Sequence, residues 1–287
     1  MQTRTLTLAD AEIVHDIHGP LPTADGREPL LVIGQPMTAE GFSELVDALE
    51  GRTIITYDPR GLGRSTRSDG SALNDPRLQA EDLHALTAEL GGPVQIFASS
   101  GGAVAGLALL TAHPGDITRL VAHEPPVLSV LPDAESAARA NAVVGRAYQE
   151  RGWGAGMATF IALAMWQGEF TEEFAAQPLP DPAAFGLPTE DDGTREDPLL
   201  SGASSPVTDY VPDLEALRAQ REKLVLAIGA ATGEALTART TRALADALDL
   251  APTEFPGGHG GFTTGDPTHP EDPVAFARRL EQVLDAA

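Results

Sequence analysis

Ser100 stands in the run Phe97-Ala98-Ser99-Ser100-Gly101-Gly102, between an apolar, β-branched segment, Val94-Gln95-Ile96-Phe97, and a stretch of small and apolar residues from Gly102 to Leu110. The first segment predicts a strand and the second a helix, closed by His113-Pro114-Gly115. Turning from strand to helix within about three residues forces the central residue into strained backbone geometry and demands small residues two positions to either side. Ala98 and Gly102 meet that demand around Ser100, whereas centring the turn on Ser99 puts Phe97 where a small residue is needed. Ser100 is therefore the candidate nucleophile. Strand-to-helix turns rich in Gly and Ser also bind phosphate or simply connect elements, so the turn alone leaves those readings open.

A nucleophilic serine needs a base, an acid that orients the base, and donors for the oxyanion. The candidate base is His259, in Phe255-Pro256-Gly257-Gly258-His259-Gly260-Gly261-Phe262, just after the short segment Thr253-Glu254-Phe255. Glycines on both sides keep that loop slim enough for the imidazole to approach another loop. Oxyanion donors are expected from the amide after the nucleophile, Gly101, and from a loop that leaves another central strand. Gly34-Gln35-Pro36-Met37 follows Leu30-Leu31-Val32-Ile33 in that manner, so the Gln35 amide is the second candidate and Met37 a candidate substrate contact. A plain strand-to-helix turn is the alternative there. The stretch Asp58-Pro59-Arg60-Gly61-Leu62-Gly63-Arg64-Ser65 also follows a strand, and its carboxylate and guanidinium are expected to fix a glycine-rich turn beside the site.

These residues need a scaffold, and the apolar pattern supplies one. Alternating segments over 3–8 and 11–18 predict an antiparallel pair at the N-terminus. Apolar runs recur at 30–33, 53–57, 94–97, 120–122 and 224–228, separated by helical patterns near 39–50, 77–90, 102–112, 233–249 and 272–285. Regular alternation of strand and helix predicts an α/β fold, a mostly parallel sheet with helices on both faces, whose functional loops gather at the carboxyl ends of the strands. The stretch 127–215 breaks the rhythm. It is helical over 134–150 and 154–167, then rich in Pro, Gly and acidic residues, as in Leu179-Pro180-Asp181-Pro182 and Glu190-Asp191-Asp192-Gly193. It reads as an inserted helical lid on a core made of 1–126 and 216–287. Trp153, Trp166, Met157, Met165 and Phe160 either line a pocket beneath that lid, with Trp153 and Trp166 the candidate substrate contacts, or form the lid's own core.

Composition narrows the partners. With 287 residues, 42% hydrophobic and 21% charged, the chain has the make-up of a soluble globular protein, and no apolar run approaches the roughly 18 residues of a membrane span. Its net charge of −23 argues against nucleic acid and anionic membranes as partners, and a small molecule is the expected one. No cysteine is present, so disulfides, thiol catalysis and thiolate metal sites are excluded. The seven histidines show no HxxxH or HxH spacing, which argues against a histidine-rich metal site; no metal and no cofactor are expected. The opening Met1 to Leu6 lacks a basic region followed by an apolar stretch, and the expected location is cytoplasmic.

Small-x-Ser-x-Gly at 98–102, Asp-x-Arg-Gly-x-Gly-x-Ser at 58–65, Gly-x-Pro at 34–36 and the late Gly258-His259, in that combination, resemble the α/β-hydrolase superfamily over nearly the whole chain outside the lid. The resemblance implies an eight-stranded, mostly parallel sheet, a lid inserted after the sixth strand, and a Ser-acid-His triad. Two positions depart from common members: Ile33 replaces the usual histidine before Gly34, and Ala98 replaces the first glycine of the elbow. Neither supplies a catalytic side chain. The acid most often follows the seventh strand, where this chain reads Gly229-Ala230-Ala231-Thr232-Gly233-Glu234 with no carboxylate at the expected place. A subset of the superfamily resembling certain haloalkane dehalogenases and lactone hydrolases carries it after the sixth strand, which here ends Leu120-Val121-Ala122-His123-Glu124. Glu124 is the favoured acid, with Glu234 or a dyad lacking an acid as alternatives, and His123 is expected to pack or hydrogen-bond. The expected activity is cleavage of a carboxylic ester or lactone through an acyl-enzyme. Acyl transfer, perhydrolysis, a cofactor-free lyase or cyclase step, and a non-catalytic small-molecule binder stay open as alternatives.

Overall fold

The computed structural model describes residues 1–24, 26–264 and 271–286. Its strands are β1 (Gln2–Thr7), β2 (Ala11–His18), β3 (Leu30–Ile33), β4 (Ile54–Tyr57), β5 (Thr66–Arg67), β6 (Val94–Ser99), β7 (Ile117–His123), β8 (Leu224–Gly229) and β9 (Thr253–Phe255). They form one sheet in the order β1-β2-β4-β3-β6-β7-β8-β9, with β5 pairing to β2. From β4 to β9 along that order every pairing is parallel, while β1, β2 and β5 join antiparallel. The eight expected strands are present. The two-residue β5 is an addition that no periodicity could announce.

Parallel strands covered on both faces read as continuous apolar runs, and β3, β4 and β6 are buried at every position. Alternate residues serve opposite faces. Leu31, Ile33, Ile96, Ala98, Leu120, Ala122 and Leu226 pack with helices α2 (Pro76–Leu90) and α3 (Gly101–Ala112), which follow α1 (Ser43–Ala48) in the chain. Leu30, Val32, Phe97, Val121, Ala227 and Phe255 pack on the other face with residues of α1 and of the last helix, Pro273–Asp285. Between β7 and β8 come α4 (Ala134–Arg151), α5 (Trp153–Met165), α6 (Glu172–Ala175), α7 (Ser205–Thr208) and α8 (Leu214–Ala219); α9 (Leu236–Ala247) and α10 (Pro273–Asp285) complete the helices. The inserted helices share a third apolar cluster, with Leu131, Val144, Tyr148, Leu163 and Leu200 packed around Leu236 of α9. Among the described residues no helix is long and apolar enough to cross a membrane.

Strand order locates the site. The chain steps from β3 to β4 on one side, then crosses back over β3 to β6 on the other, so the connections at the carboxyl ends of β3 and β6 diverge and leave a crevice. Ile33 pairs with Ala98, and Ser99 pairs with His123. That register brings Gly34-Gln35, Ser100 and Glu124 to the same edge, side by side.

Candidate active site

Ser100 is the residue on which strand becomes helix. Its φ of 55° and ψ of −125° lie outside the regions a side chain ordinarily adopts. The surroundings hold it there: its amide donates to the His123 carbonyl at 2.9 Å, and its carbonyl accepts from Ala103 at 2.9 Å. Ser99 is buried, with Oγ 3.4 Å from His123 Nδ1, so Ser100 is the serine that reaches the cavity. Gly101 and Gly102 have a packing reason to be glycine. A Cβ on Gly101 would sit 2.6 Å from the Gln35 carbonyl, and one on Gly102 2.5 Å from the Ile33 carbonyl and 2.6 Å from Gly34 Cα. The elbow thus rests directly on the turn that carries Gln35. Ala98, in the place of the usual glycine, is accommodated by Gly106, where an added Cβ would lie 3.3 Å from the Ala98 methyl.

As the first residue of α3, Gly101 has an amide with no intrahelical acceptor. The Gln35 amide also makes no hydrogen bond among the described residues. Both residues border the cavity beside Ser100, and both amides are free to meet an oxyanion. The helix dipole of α3 adds partial positive charge at the same point.

Glu124, directly after β7, is fully buried with a φ of 50°. Its Oε2 lies 2.6 Å from His259 Nδ1 and accepts from Thr237 Oγ1 at 2.7 Å. Its Oε1 accepts from the Gly229 amide at 2.9 Å and Thr232 Oγ1 at 2.6 Å. Burial alone would raise this carboxyl. The hydrogen bond and charge of His259, with the Thr232 hydroxyl, outweigh it and hold Glu124 well below the ordinary carboxylate range. His259, its side chain 42% exposed, borders the cavity with Ser100. A hydrogen bond between the two is not formed among the described residues; such contacts commonly tighten only when substrate is bound.

Glu234, the alternative acid, is elsewhere. Its side chain is 64% exposed and paired with Arg242 at 3.0 Å. The loop after β8 carries no acid at the common position, but its Thr232 and the last residue of β8, Gly229, donate to one arriving from β7. Thr232 and Thr237 escaped sequence reasoning, the only signal being a hydroxyl residue where a carboxylate is usual. His123 is fully buried among Phe97, Phe255, Phe262 and Phe276, 6.0 Å from the His259 ring in a stacked arrangement. Burial pushes its pKa down to about 4, so it is neutral at pH 7.

The cavity holds about 580 Å³ and is lined by Pro36, Val144, Phe160, Leu163, Leu200, Val207 and Leu236 together with Ser100 and His259. That size suits a small organic molecule. Three expected contacts do not line it. Met37 is turned into the gap left by Gly34 and Gly41, packed against the core on the α1 face. Trp153 belongs to the insertion's own apolar cluster and donates Nε1 to Asp197 at 2.9 Å. Trp166 donates to the Glu169 carbonyl at 3.0 Å and meets Phe174 edge-on. Both indoles are held by polar partners at the indole N–H, which fixes them within the insertion's packing. Phe160, also proposed as either wall or core, does line the cavity; Met165 is 59% exposed.

The Asp58 to Ser65 stretch acts as the frame. Asp58 accepts from the Ala39 amide at 2.9 Å, the Arg64 amide at 2.9 Å and Arg64 Nε at 2.7 Å, which ties the turn after β4 to the one after β3. Arg60 grips buried Asp82 of α2 through two bonds, 2.9 and 2.5 Å, and Asp10 through a third at 2.6 Å.

The comparisons with known proteins agree with this architecture. The model of the alpha/beta hydrolase family matches residues 14–279. The chain is 28% identical to the uncharacterized hydrolase YraK of Bacillus subtilis, covering 98% of this chain and 95% of that one. It is 32% identical to the putative carbamate hydrolase RutD of a Caulobacter species over 114 residues, 38% of this chain and 41% of that relative. Among solved structures, MGS-M2, an alpha/beta hydrolase enzyme from a Medee basin deep-sea metagenome library, superposes with a TM-score of 0.67 at 17% identity, covering 99% of this chain and 98% of that one.

Proposed function

The chain belongs to the α/β-hydrolase family of hydrolases, and from that premise we propose that it cleaves a carboxylic ester or lactone through an acyl-enzyme on Ser100. His259 removes the Ser100 proton as Oγ adds to the substrate carbonyl, and Glu124 holds Nδ1–H so that Nε2 is the basic nitrogen. The Gln35 and Gly101 amides receive the oxyanion. Collapse of the tetrahedral adduct expels the alkoxide, which takes the proton from His259. Water, deprotonated by the same imidazole, then releases the acid and restores the serine. In a lactone the leaving hydroxyl remains attached to the product.

The observation that carries this reading is the buried Glu124 carboxylate 2.6 Å from His259 Nδ1, behind a ring that shares a cavity with Ser100. A serine at the elbow also separates the chain from epoxide and haloalkane hydrolysis, for which a carboxylate nucleophile is the pattern the resemblance implies. The relative named as a putative carbamate hydrolase places carbamates beside esters in a substrate panel. The test is turnover of such a panel with hydroxylamine present. An acyl-enzyme partitions between water and the amine, giving hydroxamate in proportion to amine concentration and a burst of alcohol, both lost in Ser100→Ala. Turnover that persists in Ser100→Ala refutes the proposal.

A further inference from the structure

At the far end of α3 from Ser100, twelve residues and so about 18 Å away along the helix, a second group of chemically capable side chains converges. His84 projects from α2, His113 follows the last residue of α3, and Asp116 lies in the short helical turn leading to β7. One ligand-type atom from each of the three lies within 4.8 Å of the others. None is needed by the hydrolytic chemistry. We propose that His84, His113 and Asp116 form a binding site for a zinc-type divalent cation.

Both rings already meet a carboxylate. His84 Nδ1 is 2.6 Å from Asp116 Oδ2, and His113 Nε2 is 2.9 Å from Glu81 Oε1. Glu81, accepting from His113 Nε2, fixes that ring's neutral tautomer and leaves the Nδ1 lone pair for the ion, the arrangement by which carboxylates support metal-bound histidines, while His84 Nδ1 and Asp116 Oδ2 already face each other and the ion takes the place of the proton between them. The rings stack with centroids 3.9 Å apart and planes 8° from parallel. Parallel rings direct their lone pairs side by side, so a shared ion requires one ring to turn about its Cβ–Cγ bond. The positions permit this: the His84 side chain is 44% exposed and that of His113 25%. A cation is also favoured electrostatically at this place, since the C-terminal carbonyls of α3 present the negative end of its dipole.

Ligand chemistry selects the ion. Two imidazoles and a carboxylate, with no thiolate in the chain, suit zinc, nickel or copper over magnesium and calcium, which favour all-oxygen sets. The two histidines stand 29 residues apart, so spacing rules that look for pairs within one helical turn pass over them. Bridging α2 to the α3–β7 junction, a bound ion stabilises the folded chain by mass action.

The test is calorimetric titration of zinc chloride into the full chain after removal of metals with EDTA. One zinc per chain is expected, with a concentration-dependent rise in melting temperature. Binding is expected to vanish in His84→Ala and His113→Ala and to weaken about 10-fold or more in Glu81→Gln, while it persists in His259→Ala. Melting in EDTA shows that the variants are folded. No saturable binding in the wild type, binding retained in the His84→Ala/His113→Ala double variant, or binding lost in His259→Ala overturns the proposal.

Discussion

Replacing Glu124 by Gln changes one oxygen to an amide nitrogen and reverses the direction of the two hydrogen bonds that atom makes. The carboxylate accepts four bonds, from the Gly229 amide, Thr232, Thr237 and His259. A glutamine keeps one acceptor oxygen, which the Gly229 amide and Thr232 hydroxyl claim, and turns its NH₂ toward Thr237 and His259. Thr237 tolerates this, because a hydroxyl can accept as well as donate. His259 does not, because Nδ1 must then become the acceptor and the proton moves to Nε2, the nitrogen that should take the Ser100 proton. With the shape of the site unchanged, loss of the correct tautomer costs about 10⁴ in kcat where the corresponding acid of a serine protease has been amidated, equivalent to about 5 kcal/mol of barrier. The assay is steady-state turnover of an ester accepted by the wild type, with circular dichroism and melting as controls for folding. Glu234→Gln is the companion variant, exposed and bridged to Arg242, and should alter turnover by less than about fivefold, since an exposed pair carries at most about 1 kcal/mol. Glu124→Gln with more than a tenth of wild-type turnover, or a larger loss in Glu234→Gln, refutes the assignment of the acid.

Three other perturbations follow from the geometry. Gly102→Ala drives a methyl into the Ile33 carbonyl and Gly34 Cα and should cost about 1–3 kcal/mol by urea unfolding together with most of the turnover, whereas Gly115→Ala, with open space around it, should leave turnover unchanged. Arg60→Ala strands Asp82, which is 2% exposed and whose own pKa burial already pushes upward; a loss of about 3–5 kcal/mol is expected, and a change below about 1 kcal/mol by the same unfolding assay would show the pair to be dispensable. His123 is held neutral, its pKa lowered from 6.5 to about 4, so between those values the unfolded chain binds a proton that the folded chain refuses, and stability falls as pH drops. At about 1.4 kcal/mol per unit the His123 share approaches about 3 kcal/mol by pH 4. Buried His15, also shifted down by burial, adds to the wild-type slope, so the measurement is the difference in slope between the wild type and His123→Leu; identical slopes contradict a neutral His123.

Much of the fold was readable because parallel strands buried on both faces write themselves as apolar runs, and because Ser100 and His259 sit in turns whose small neighbours are visible in one dimension. The position of Glu124 beside Ser100 follows from β6 and β7 being neighbours, which the order of elements already suggested. What escaped was decided by packing across long separations. The Thr232 and Thr237 hydroxyls meet Glu124 more than 100 residues away, and no local pattern marks them. Met37, Trp153 and Trp166 carry the right residue types for a pocket wall, yet each finds a closer apolar or polar partner in its own neighbourhood. The cavity wall is made instead by residues such as Val144, Leu163 and Leu200, indistinguishable in sequence from core.

Covalent capture tests the central claim most directly: that Ser100 is a nucleophile activated by the Glu124–His259 pair. The chain is treated with a fluorophosphonate, and the modified peptide is located by tandem mass spectrometry. A single adduct on Ser100 is expected, absent in Ser100→Ala and formed far more slowly in His259→Ala and Glu124→Gln than in the wild type. An unlabelled wild type, an adduct on Ser99 or another residue, or labelling of Ser100 at an unchanged rate in the His259→Ala variant would contradict it.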